Sequence, residues 1–98
     1  MTSNFFGNTP IMKIISFLLE NDIWDYSLTD ICKGANVSWG TLHKLFPSLV
    51  RHGLVKETRR VGRAKLYRLN EKNPIVRALA KIQLALAFPE YPKVKVTA

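Results

Sequence analysis

The sequence predicts a mainly α-helical fold carrying one small β-hairpin, in the order helix, short strand, helix, helix, hairpin, helix. Apolar residues recur at helical spacing in four separate stretches. A stretch rich in Val, Leu, Thr and Tyr, divided by a glycine-containing loop, follows the third of them. The 98 residues, 47% hydrophobic, leave room for one core. Residues 1–98 are therefore expected to form a single domain, with its core in 9–70, a last helix at 74–88 and a tail at 89–98.

The first helix starts at Asn8-Thr9-Pro10, with Thr9 or Asn8 as N-cap and proline in the first turn. Ile11, Ile14, Ile15, Leu18 and Leu19 fall on one face, and Asn21-Asp22 closes it. Phe17 points away from that face, beside Lys13, Ser16 and Glu20, and is expected to be exposed. Trp24-Asp25-Tyr26 reads as a short extended stretch. Ser27 or Thr29 then caps a second helix that turns Leu28, Ile31 and Cys32 inward and ends near Gly34.

After the turn Ala35-Asn36-Val37, Ser38 caps a third helix running towards His52, with Leu42, Leu45, Phe46 and Leu49 on its buried face. Gly53 ends it at the left-handed position. Pro47 removes one hydrogen bond in its middle at a cost of about 3 kcal/mol, so a kink near His43–Pro47 or a fresh turn at Pro47 is expected. Leu54–Arg59 and Lys65–Leu69 form the hairpin around a loop at Arg60–Ala64, with Tyr67 and Leu69 facing the core. The last helix begins at Pro74 and ends before Pro89.

Charge narrows the function. Fifteen Lys and Arg oppose seven Asp and Glu, a net charge of +8, and the pI is 10.0. Residues 1–32 hold one cation against four acids, whereas residues 33–98 hold fourteen against three. A field polarised in this way suits a polyanion on one face, nucleic acid before an anionic membrane. Cys32 is alone, which excludes a disulfide framework and a cysteine metal cluster. No run approaches the ~20 apolar residues of a membrane span. No basic segment followed by an apolar one opens the sequence either, so a cytoplasmic protein with no membrane partner is expected. With no nucleophile elbow, phosphate-cradling glycine loop or paired carboxylates near a histidine, the sequence predicts no catalytic residues, no cofactor and no enzyme.

Two helices joined by a tight turn and followed at once by a basic hairpin make the winged helix-turn-helix layout. Residues Val37-Ser38-Trp39-Gly40-Thr41-Leu42-His43-Lys44-Leu45, continuing to Gly53-Leu54-Val55, resemble the recognition helix of small prokaryotic winged-helix transcription regulators. The MarR-like and ArsR-like groups and their short archaeal relatives share this layout, and Glu57–Leu69 resembles their wing. The resemblance covers residues 9–88 in layout and 37–70 as a distinctive pattern. It implies a transcription regulator on double-stranded DNA, with helix 38–52 in the major groove and wing 59–65 on the backbone or minor groove. ArsR-like metal sensors carry a cysteine motif in the recognition region that is missing here, so no metal site is implied.

The residues support the same picture independently. Opposite the buried stripe of the third helix lie Gly40, Lys44 and Arg51, flanked by Thr41, His43 and Ser48. The Ser38 end offers free amides to a phosphate, and Lys44 can reach a phosphate or a guanine edge. Gly40 either lets DNA approach the backbone or is simply a small surface residue. Trp39 packs beside the second helix or reaches the groove, and His43 has no helical partner for a metal. His52 either belongs to the interface or just favours the helix's negative end. In the hairpin Arg59, Arg60, Arg63, Lys65 and Arg68 place five cations in ten residues, too dense to bury, so they face water or phosphate.

In the last helix Ile75, Leu79, Ile82 and Leu86 form one stripe and Val76, Ala80 and Ala87 another. An apolar wrap of this kind predicts a dimer interface of Phe17, Ile75, Leu79, Ile82, Leu86 and Phe88, joined by Phe5 and Phe6, unless a thicker monomer core covers it. The rival functions are a winged-helix protein-interaction module of a transcription or replication assembly, and RNA binding by the same fold.

Overall fold

The computed structural model describes residues 8–87; Phe5, Phe6, Phe88 and the 89–98 tail lie outside the described residues. Helix α1 spans Pro10–Glu20, with Thr9 in extended backbone at the N-cap and proline in the first turn. Asn21 closes it: its backbone N–H and its side-chain amide both donate to the Phe17 carbonyl, at 3.1 and 2.8 Å. Ile14, Ile15, Leu18 and Leu19 are buried, as their spacing requires.

Two residues on the other side of α1 depart from expectation. Ser16 is buried, and Phe17 is half-buried against the core. The cause is helix α2, Leu28–Ala35, which crosses α1 at Gly34. The Phe17 ring occupies the space a Cβ at Gly34 would need, and it also meets Tyr26 at a centroid distance of 5.0 Å. Phe17 is thus part of the α1–α2 contact. It is half-exposed where the helical wheel suggested a fully outward residue.

A reciprocal capping box starts α2: Ser27 Oγ accepts from the Asp30 amide and Asp30 Oδ2 from the Ser27 amide, both at 3.2 Å. Asn36 ends it in the left-handed conformation, φ 57°. The chain then enters α3, Trp39–Arg51, behind the Ser38 N-cap. Leu42, Phe46 and Leu49 are buried and Leu45 half-buried, so α3 is held along one stripe.

Pro47 does not split α3, which is helical from Trp39 to Arg51. Proline leaves the His43 carbonyl without its helical donor. Both residues are exposed, so water can supply the missing partner. At its end, Gly53 takes φ +71°, its N–H donates to Val50 O, and the Leu54 N–H donates to Leu49 O. This paired arrangement is a Schellman stop, and it turns the chain straight into the hairpin.

Strands β1, Val55–Val61, and β2, Ala64–Leu69, pair antiparallel down to Val61–Ala64. The loop is therefore Gly62-Arg63 alone, shorter than the expected Arg60–Ala64. Gly62 alone of the two has positive φ, +62°, the backbone sign pattern of a II′ turn, whose twist lets strands pair to the tip. A bulge interrupts the register between Glu57 and Arg59 and leaves Thr58 unpaired. Leu69 and Leu66 are buried while Tyr67 is half-buried, its ring edge-on to Phe46 at 4.8 Å. Tyr26 adds a minimal third strand, exchanging two 2.8 Å backbone hydrogen bonds with Tyr67.

Helix α4 spans Pro74–Ala87. Asn73 Oδ1 accepts from the Ile75 N–H at 2.8 Å, which caps the helix. Only its first turns meet the body: Val76 is buried, and Leu79 and Ala80 are half-buried against the core. Ile75, Ile82, Leu84 and Leu86 are 51, 38, 44 and 42% exposed. The whole is a winged helix-turn-helix, mainly α with a hairpin wing, as the sequence predicts.

Candidate nucleic-acid interface

The Leu42/Phe46/Leu49 stripe fixes α3 on the body and leaves its outer face to solvent. Ser38, Trp39, Gly40, His43, Lys44 and Arg51 are exposed there; Thr41 and Ser48 are half-buried. Ser38 Oγ accepts from the Thr41 amide at 3.2 Å and lies 2.8 Å from Thr41 Oγ1. Ser38 Oγ donates in that contact, so the Thr41 hydroxyl is positioned by the cap while its own proton stays free to donate outward. A Cβ on Gly40 would meet nothing within 4 Å, so the free fold has no need of glycine at this position.

Trp39 is 52% exposed and meets the His43 ring edge-on at 4.4 Å. It also lines a cleft with Ser27 and Leu28, so it lies beside the start of α2 as one of the two expectations held. At the far end of α3, His52 Nδ1 sits 2.8 Å from the Ser48 carbonyl and caps it. The two histidines therefore have local structural partners. Among the described residues no cluster of His, Cys, Asp or Glu could hold a metal ion.

The wing cations divide into two kinds. Arg59 closes on Asp25, with Nε 3.0 Å from Oδ2 and Nη2 3.3 Å from Oδ1, and Thr58 Oγ1 donates to the same Oδ2 at 2.6 Å. The Arg59 guanidinium and then the Thr58 hydroxyl hold the Asp25 carboxyl down at about 2. Arg60 faces Glu57 at 3.4 Å, an exposed pair of small energetic weight. Arg68 is half-buried and gives a 2.6 Å hydrogen bond to the Asp22 carbonyl, so it does not face outward as its neighbours suggested. Arg63 and Lys65, at and beside the turn, are exposed and have no acidic partner among the described residues. Lys44 and Arg51 on α3 share that condition.

Two residues that shape this surface, and a third on α4, act through contacts that local spacing does not reveal. Asp25 anchors the base of the wing from 34 positions away. Asn73 Nδ2 donates to the carbonyls of His52 and Gly53, both at 3.0 Å, and so fastens the end of α3 to the start of α4. Leu84 belongs to the exposed face of α4. The asparagine after a turn and before a proline was a legible cap, but its second role depends on tertiary contact. No described helix is long and apolar enough to cross a membrane.

No family model and no curated protein matches the sequence. Among solved structures, the fold is similar to the crystal structure of Sso10a-2, a DNA-binding protein from Sulfolobus solfataricus. The two chains are 21% identical over 78% of this chain and 79% of that one, with a TM-score of 0.56. At that identity the likeness shows a common fold.

Proposed function

We propose that this chain is a sequence-specific duplex DNA-binding protein and transcription regulator of the small prokaryotic winged-helix kind, MarR- or ArsR-like in layout, working in the cytoplasm as a homodimer. The observation that carries this reading is the distribution of unpaired charge. Lys44 and Arg51 on the outer face of α3, and Arg63 and Lys65 on the wing, lack acidic partners among the described residues. They sit on the two elements that this fold can offer to adjacent grooves. The DNA-binding activity of the similar Sso10a-2 structure supports it.

Each residue then has a role. Lys44, His43 and the methyl of Thr41 face base edges in the major groove, where Gly40 admits close approach. Ser38, Trp39, Ser48 and Arg51 border the phosphates. Arg63 and Lys65 hold the backbone or minor groove, with Arg60 a weaker contributor because of Glu57, and Arg59 mainly a structural one. The second copy packs against α4 through Ile75, Ile82 and Leu86, with the exposed edge of Leu79 and with Leu84 added. Selection of bound duplexes from a random pool tests the reading. A symmetric motif supports a dimeric, sequence-reading protein, and no enrichment overturns it.

One observation favours a protein-interaction module instead. Ile23 and Trp24, 75 and 67% exposed, form an apolar tip on the turn before α2. Under that reading the pool selection returns nothing, and binding appears only with a protein partner.

A further inference from the structure

Four arginines and lysines lie on the distal half of the wing, from Arg59 to Lys65, and two are neutralised: Arg59 by Asp25 and Arg60 by Glu57. The remaining two, Arg63 and Lys65, line one cleft of about 290 Å³ between the wing and the starts of α2 and α3. Its other walls are Ser27, Leu28, Thr29, Ala64, Tyr67 and the half-exposed indole of Trp39, which meets the His43 ring edge-on. The cleft therefore joins two bare cations to an apolar and aromatic surface.

A fully paired duplex uses only half of this. Its phosphates suit Arg63 and Lys65, but its base faces are hidden in the stack and leave the indole nothing to meet. A nucleotide with its base turned out of the stack uses both parts: a π-face for Trp39 and a phosphate for the cations. The volume is near the lower bound of about 300 Å³ for ligand pockets, enough for one base and far too small for a helix.

We propose that this cleft binds a single unstacked nucleotide of a DNA strand, its base against Trp39 and its phosphate on Arg63 and Lys65. The assignment rests on the nucleic-acid reading above and adds to it an affinity for unpaired strands. Every base has a π-face, so the site tolerates any sequence.

The test uses the full chain. In a Trp24→Phe variant Trp39 is the sole tryptophan, since the chain has two. Its fluorescence is followed at low salt with thymidine mononucleotide, single-stranded oligothymidylate, an abasic strand of equal length, and a paired duplex. Oligothymidylate should quench Trp39 and bind about tenfold or more tighter than the abasic strand. The mononucleotide, which lacks the neighbouring phosphates, should bind more weakly than the oligomer. With dye-labelled strands, Trp39→Ala should bring the base-bearing and abasic affinities together, and Trp39→Phe should separate them again. Equal affinity for the two strands in the parent protein overturns the proposal, as does a Trp39→Ala variant that keeps their ratio. Duplex binding without any single-strand binding sinks the cleft assignment and leaves the duplex reading standing. Binding to neither sinks both.

Discussion

Arg59 and Asp25 form a two-pronged ion pair, Nε to Oδ2 at 3.0 Å and Nη2 to Oδ1 at 3.3 Å, between the wing and the strand that precedes α2. The bulge at Thr58 brings two consecutive wing side chains onto the same carboxylate, because Thr58 Oγ1 also donates to Oδ2. Asp25 is only 15% exposed at its side chain, whereas Arg59 is 63% exposed. The acid is therefore the fixed member of the pair. It sets where the wing leaves the body, and it cancels one of the wing's charges.

Removing this acid should alter binding as well as fold. Asp25→Asn leaves Arg59 free, so non-specific duplex affinity at low salt should rise and the salt slope steepen by about one unit. Titrations of the parent and variant at several salt concentrations measure both. Stability carries its own signature. The folded carboxyl titrates at about 2, below its unfolded value near 3.8. Its contribution is therefore complete above the unfolded value and disappears as pH falls through about 2. Thermal unfolding from pH 5 to pH 2 should show a steeper loss for the parent than for Asp25→Asn. Parallel curves would remove Asp25 from the stability of the wing.

The Phe17–Gly34 contact makes two glycines behave oppositely. Alanine normally stabilises a helical position relative to glycine, by up to about 1 kcal/mol. At Gly40, where a Cβ meets nothing, Gly40→Ala should be neutral or stabilising. At Gly34 the Cβ collides with the Phe17 ring, which is also in contact with Tyr26. Gly34→Ala should cost about 1–3 kcal/mol by overpacking, read from denaturant midpoints. Phe17→Ala should lower stability while leaving the oligomeric state unchanged. A Phe17→Ala variant that dissociates without losing stability would restore Phe17 to the dimer surface.

Asn73 makes three hydrogen bonds, one to the Ile75 amide and two to the carbonyls of His52 and Gly53. Asn73→Ala uncaps α4 and removes both of those donors, while Asn70 Nδ2 still donates to the Gly53 carbonyl at 3.1 Å. A loss of about 1–3 kcal/mol is expected, with a fall in Tm of roughly 4–8 °C for each kcal/mol. Asn73→Asp keeps the cap acceptor and loses both donors, so it should fall between the two. An unchanged melting curve for Asn73→Ala would mean that the packing of Val76, Leu79 and Ala80 alone holds α4.

What the chain disclosed beforehand was what a few neighbouring residues decide. Ser38, Gly53 and the Leu42/Leu45/Phe46/Leu49 spacing placed α3 correctly, since capping and amphipathicity act within a turn or two. The hairpin was legible for the same reason, although Gly62 allowed a tighter turn than composition suggested. Of the two outcomes Pro47 allowed, a fresh helical turn does not form, because the buried stripe on either side of it outweighs its local cost. Ser16 and Phe17 misled because a helical wheel knows one partner face, and α2 approaches from another. The division of wing cations was illegible. Asp25 and Asp22 stand 34 and 46 residues from the arginines they engage, and no periodicity links them.

The exposed apolar face of α4 gives the dimer its test. Leu86 is 42% exposed in the single chain, so Leu86→Lys should leave the monomer folded and place a charge only in the proposed interface. Sedimentation at micromolar concentration should give the parent about twice 11.2 kDa and the variant the single-chain mass. A parent protein at 11.2 kDa overturns the dimer.

The final prediction separates helix from wing by what each holds in place. Lys44 stands on a helix pinned by Leu42, Phe46 and Leu49, so its reach into a major groove is fixed. Lys44→Ala should cost about 1–3 kcal/mol on the selected site and little on a scrambled duplex. Thr41→Ala should also lose part of that preference, because it removes both the methyl and the hydroxyl proton that the Ser38 contact leaves free. Arg63 lies in a two-residue turn at the wing tip, where it meets backbone or minor groove whatever the sequence. Arg63→Ala should therefore weaken every duplex alike and lower the salt slope by about one unit. Titrations of the three variants against both duplexes decide between the roles. Should Arg63→Ala erase the preference while Lys44→Ala and Thr41→Ala keep it, the wing would be the reader and α3 the clamp.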